Sequence, residues 1–76
     1  MKQSQNQTVL DHLREHGSIT ALEAMERYGI MRLSGRIYDL RERGMDIDAE
    51  RITVKNRRGE KVQVARYTLL AEEQIA

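Results

Sequence analysis

Residues 33–44 read Leu-Ser-Gly-Arg-Ile-Tyr-Asp-Leu-Arg-Glu-Arg-Gly and carry the clearest periodicity in the chain. Leu33, Ile37 and Leu40 fall at i, i+4 and i+7. On a helix of about 3.6 residues per turn they make one inward stripe. The spacing predicts a helix over residues 32–43, with Gly44 as its stop. Everything off the stripe is polar, glycine or Tyr38, so the opposite face is left for solvent or a partner.

Upstream, two shorter helices are expected. Asn6 is a candidate cap for a helix over residues 7–16, in which Val9, Leu10 and Leu13 share one stripe and Gly17 takes the left-handed position after the end. Residues 1–5 should fray. Ser18-Ile19-Thr20 is too short for an independent element, but Ile19 suits a one-pair edge strand. Thr20-Ala-Leu-Glu23 matches a capping box and starts the second helix, with Leu22, Met25 and Ala21 facing inward, Tyr28 in the core at its end, and Gly29 closing it. The third helix follows after a short glycine-containing turn, and Ile30 is placed to plug the angle, which is a helix-turn-helix signature.

Downstream of Gly44 the period changes to two. Met45, Ile47 and Ala49 alternate with acids, and Ile52 and Val54 then resume out of phase, so a bulge or bend is expected near Glu50 and Arg51. A strand over 51–55 leads into Asn56-Arg57-Arg58-Gly59, a turn with asparagine first and glycine where a positive φ is wanted, and a strand over 61–69 returns. Ala65, Tyr67 and Leu69 share one face of that strand while Val62 and Val64 share the other, so the pattern leaves the register open. The organisation expected is an N-terminal arm at 1–5, a domain at 6–69 and an acidic tail at 70–76 that is either a helical stub or disordered.

The chain has 76 residues, enough for one domain that buries about 60% of its unfolded surface, which argues against a large catalytic cleft. There is no cysteine, no apolar run near the roughly 18 residues of a membrane span, and no apolar stretch behind Lys2 of the kind a signal peptide needs. A reducing cytoplasm, bacterial cytoplasm or nucleoid, is the expected compartment. The formal net charge of +1 conceals strong segregation. Residues 1–31, 44–50 and 70–76 sum to −1, −3 and −2, whereas 32–43 and 51–69 sum to +2 and +5. Such a polarised chain offers one anion-facing surface.

Three helices followed by a two-stranded hairpin is the winged-helix order. On the segments Leu33 to Gly44 and Arg66-Tyr-Thr-Leu69, the run from Ile19 to Leu69 resembles small phage or prophage winged helix-turn-helix DNA-binding proteins. The resemblance implies an α+β fold, a three-helix bundle with a C-terminal β-hairpin wing. It also implies a recognition helix in the major groove of double-stranded DNA and a wing on the adjacent backbone or minor groove, in a regulator or accessory factor.

The residues suit those roles. Ser34, Gly35, Tyr38 and Asp39 turn outward on the third helix, with Arg32, Arg36 and Arg43 along one flank. Arg32 and Arg36 lie early in the helix, where a guanidinium can bond guanine O6 and N7. Ser34 suits base or phosphate, Tyr38 a sugar or a thymine methyl, and Asp39 a cytosine amine or a brace for Arg36 or Arg43. Gly35 lowers helix propensity by about 1 kcal/mol relative to alanine, which points to something approaching the backbone there. Glu42 would repel phosphates, so recognition is expected in the first half of the helix. Lys55, Arg57, Arg58 and Lys61 form a four-cation wing suited to phosphates.

His12-Leu-Arg-Glu-His16 fits the H-x-x-E-H pattern of inverted zinc proteases. The helix ends at Gly17 and no third ligand is evident, so His16 is read as interacting with its helix C-terminus and His12 as exposed. No enzyme activity, cofactor or metal is expected. A small domain often needs a second copy for useful affinity, so a homodimer is an open expectation, though no heptad seam marks its interface. The competing reading is a winged-helix protein-interaction adaptor without sequence-specific DNA binding, for which outward apolar residues on the third helix would be the sign; Tyr38 alone qualifies.

Overall fold

A computed structural model describes residues 4–72. The elements are α1 (Gln5–His16), β1 (Ser18–Thr20), α2 (Ala21–Tyr28), α3 (Leu33–Glu42), β2 (Met45–Lys55) and β3 (Lys61–Glu72). The strands form one antiparallel sheet in the order β1-β3-β2. The fold is thus α+β, three helices against a three-stranded sheet.

Ser4, not Asn6, caps α1: its Oγ accepts from the Gln7 amide at 3.1 Å. Either residue type can supply the oxygen, but capping at Ser4 starts the helix earlier and leaves the Asn6 side chain free. Residues 4 and 5 therefore belong to the cap and helix, and the rest of the expected frayed arm lies outside the described residues. The capping box at α2 is formed in full, with Glu23 N–H donating to Thr20 Oγ1 and Thr20 N–H to Glu23 Oε1, both at 3.0 Å. The inward face of α2 differs from expectation. Ala24 is the buried residue, Leu22 is half-buried, and Ala21 and Met25 are exposed, because an eight-residue helix beside a short turn meets the core over barely one side-chain width. Gly29 closes α2 at φ 67°, a left-handed conformation that lets its amide reach Met25 O and turns the chain toward α3.

The core joins Val9, Leu10 and Leu13 of α1 to Ile19, Ala24, Ile30, the α3 stripe Leu33, Ile37 and Leu40, and Ile47 of β2. Met45, Tyr67 and Leu69 pack at its edge. Arg32 and Arg43 flank α3 as its caps rather than lying within it.

The hairpin corrects two expectations. Pairing runs without a break from Ile47↔Leu69 to Lys55↔Lys61, so there is no bend at Glu50 and Arg51. The irregularity lies between Asp46 and Ile47, where Asp46 faces Ala71 and Ile47 faces Leu69, leaving Leu70 as the extra residue. The change of phase in the sequence is instead a change of face. Near the helices the apolar pairs are Ile47↔Leu69 and Ala49↔Tyr67, while further out Ile52↔Val64 and Val54↔Val62 lie on the other face and half-bury one another. This register places Ala65, Tyr67 and Leu69 on the core side. Residues 70–72 continue β3 rather than forming a helical stub or disordered tail, and 73–76 lie outside the described residues.

Candidate nucleic-acid interface

With Leu33, Ile37 and Leu40 almost fully buried, α3 is held by one side and presents the other. Arg32, Ser34 and Tyr38 are exposed, Tyr38 at 63%. Among the described residues no side chain caps the start of α3, and its first turn carries no acid. Gly35 is half-buried, yet a Cβ there would meet nothing within 4 Å and its φ lies outside the left-handed region. Nothing among the described residues requires glycine at this position.

Arg36 and Asp39 stand apart from that exposed set. They are half-buried and paired, Arg36 Nη2 to Asp39 Oδ2 at 3.4 Å, and Asn6 Nδ2 donates to the same carboxylate oxygen at 3.2 Å. The brace expected of Asp39 is thus present for Arg36, with α1 as an additional support. Asn6 was not foreseen in this place, because nothing local to a first-turn asparagine points to a residue 33 positions away. Arg41 is tethered while remaining exposed and charged: its Nε and Nη2 donate to the Ile47 carbonyl at 3.1 and 2.6 Å, fastening the end of α3 to β2.

The wing tip is built by two residues. Asn56 Oδ1 accepts from the amides of Arg58 and Glu60 at 2.9 and 3.0 Å, and Gly59 supplies φ 79°. The guanidiniums of Arg57 and Arg58 take no part in forming the turn. Lys55 and Lys61 are exposed and directly opposite one another across the hairpin, an arrangement of like charges that disfavours pairing. Among the described residues no ion pair engages Lys55, Arg58 or Lys61; Arg57, 84% exposed, reaches Glu26 of α2 at 3.7 Å. Leu22, Met25 and Glu26 of α2 and Asn56, Arg57 and Arg58 line an open groove of about 480 Å³ between helix and wing.

Two basic residues away from the wing tip are paired. Arg66 pairs with its cross-strand partner Glu50, and Arg14 grips Glu72 through Nε and Nη2, tying α1 to the end of β3. That ion pair raises the Arg14 pKa and lowers that of Glu72. Within the +5 segment, Arg66 is thus paired, while Lys55, Arg58 and Lys61 at the wing and Arg51 on the strand leading to it carry no ion pair among the described residues.

His12 is 3% exposed, not at the surface as expected. Its Nδ1 shares a 2.7 Å hydrogen bond with the Tyr28 hydroxyl, and its ring lies 4.5 Å from that of His16. Tyr28 is correspondingly not a core residue; it is 39% exposed and covers His12 edge-on. Burial first, and then the neighbouring His16, lower the His12 pKa below 6.5. Among the described residues no group of three metal-capable side chains converges, and no helix is long and apolar enough to cross a membrane.

A helix-turn-helix with a presented third helix and a cationic hairpin beside it defines a winged-helix protein of the DNA-binding class. The chain belongs to the winged helix-turn-helix domain family, whose model matches residues 4–72. The family is typically a non-enzymatic DNA-binding fold; the match speaks to that fold and not to a phage setting. No curated protein and no solved structure matches the chain.

Proposed function

We propose that the domain binds double-stranded DNA selectively, as a transcriptional regulator or accessory factor. The first half of α3 lies in the major groove, where Arg32, Ser34, Arg36, Tyr38 and Asp39 face base edges across the open backbone at Gly35. Lys55, Arg57, Arg58 and Lys61 rest on the backbone or minor groove. The observation that carries this reading is the wing. Lys55 and Lys61 face each other with no ion pair to either among the described residues, and two further guanidiniums crown a turn that folds without them. An anion bridging these cations turns an unfavourable arrangement into a binding one.

The test is the salt dependence of duplex binding. Replacing Arg57 and Arg58 together by alanine weakens binding to every sequence and reduces the slope of log K against log salt by about 2. An unchanged slope removes the wing from the interface. The groove between α2 and the wing, floored by Leu22 and Met25, is what favours the adaptor reading. Selection from a random duplex library at about physiological salt separates the two: an enriched motif supports base reading, and a palindrome would indicate a homodimer, whereas no enrichment favours the adaptor.

A further inference from the structure

The junction between α1 and α3 holds more than a surface ion pair needs. Asp39 Oδ2 receives both Asn6 Nδ2 and Arg36 Nη2, at 3.2 and 3.4 Å. Two polar atoms there are enclosed without a partner, Arg36 Nε and Asn6 Oδ1, one a donor and the other an acceptor. Nε and Nη2 lie on the same edge of a guanidinium. With that edge turned into the junction, the Nη1–Nη2 edge is the one left for an outside acceptor, and Arg36 keeps 34% of its side chain exposed. Asn6 also settles a competition. Asp39 has one arginine at i−3, Arg36, and another at i+4, Arg43, and both spacings allow pairing on a helix. The amide of Asn6, reaching across from the first turn of α1, holds the carboxylate on the Arg36 side. Because Ser4 supplies the cap, Asn6 is free to do this.

We propose that Asn6 is a positioning residue for base recognition: through Asp39 it orients the Arg36 guanidinium so that the Nη1–Nη2 edge meets a guanine in the major groove. This rests on the DNA-binding reading above. It adds a part of α1 outside the helix-turn-helix to the residues that set specificity, acting at second hand and never touching DNA.

The experiment measures, with the full chain, binding of a guanine-containing duplex enriched from the random library, an unrelated duplex of equal length, and the enriched duplex with a guanine analogue lacking N7. Asn6→Ala is expected to lower affinity for the enriched duplex by about 3- to 10-fold, part of what a bidentate contact provides. Binding to the unrelated duplex and the salt slope stay unchanged. Loss of N7 penalises the original chain more than Asn6→Ala, and in an Asp39→Asn background the further change at Asn6 has no effect. A variant that melts earlier but discriminates as well as the original shows a merely structural tie and overturns the proposal. Should Asn6→Ala fail to fold, Asn6→Ser, which retains a polar side chain, is judged by the same criteria. If the original chain prefers no duplex, base reading fails and this inference with it; if it is selective and Asn6 is indifferent, this inference alone fails.

Discussion

Gly35 shows how a single residue separates folding from function. It sits inside α3, adopts no conformation reserved for glycine, and has room for a methyl group. Gly35→Ala should therefore raise stability by up to about 1 kcal/mol, the ordinary gain for that change in a helix. The same methyl group would stand between the α3 backbone and a DNA strand, so duplex affinity should fall as the melting temperature rises. Paired thermal melts and binding titrations check this, and a variant that is both more stable and equally tight removes Gly35 from the interface. The glycine was conspicuous in the sequence because of its propensity. That none of the described residues comes within 4 Å of a methyl group placed there needed the packed structure.

At the scale of elements, the wing and α2 are coupled by the exposed contact between Arg57 and Glu26. Such a pair contributes at most about 1 kcal/mol to stability, and less in salt. Its larger effect is on the field at the tip, where Glu26 holds a negative charge beside the cations assigned to phosphates. Glu26→Gln should tighten binding to all duplexes at low salt, leave discrimination among them unchanged, and alter stability little. Titrations with random and enriched duplexes test this, and unchanged or weaker binding to both would show that the tip does not approach phosphate. The turn itself was legible, since Asn56 and Gly59 stand where the turn geometry wants them. The partner of Arg57 was not, because α2 and the hairpin tip lie some thirty residues apart in sequence and only the sheet's path joins them.

Over the whole molecule, one titratable ring, His12, is buried among the described residues. His12 is buried between His16 and Tyr28, and its pKa is lowered chiefly by that burial. Glu23 and Glu15 oppose the shift, and Arg27 adds to it. The unfolded chain therefore binds the proton more readily than the folded one. Above about pH 6.5 both states are neutral at His12 and its contribution to stability is complete. As pH falls through 6.5 the unfolded state is protonated first and stability declines, until the lowered folded pKa is passed. Thermal melts between pH 7.5 and 5 should show this decline in the original chain and a flatter curve for His12→Gln. Parallel curves would mean that the folded protein accommodates the charge.

Much of the architecture follows from local chemistry in the amino-acid sequence alone. The α3 stripe, the Thr20–Glu23 box, the Gly29 turn and the Asn56–Gly59 hairpin each draw on residues within a few positions of one another, where periodicity and turn stereochemistry act directly. The order of these elements was enough to recognise the winged helix-turn-helix. Tertiary structure decided what depends on residues distant in sequence. It set the hairpin register and the extra residue at Leu70, buried His12 beneath Tyr28, and joined Asn6 through Asp39 to Arg36. A side chain's propensity is the same wherever it stands, but its partner is whichever group the packed core brings within reach.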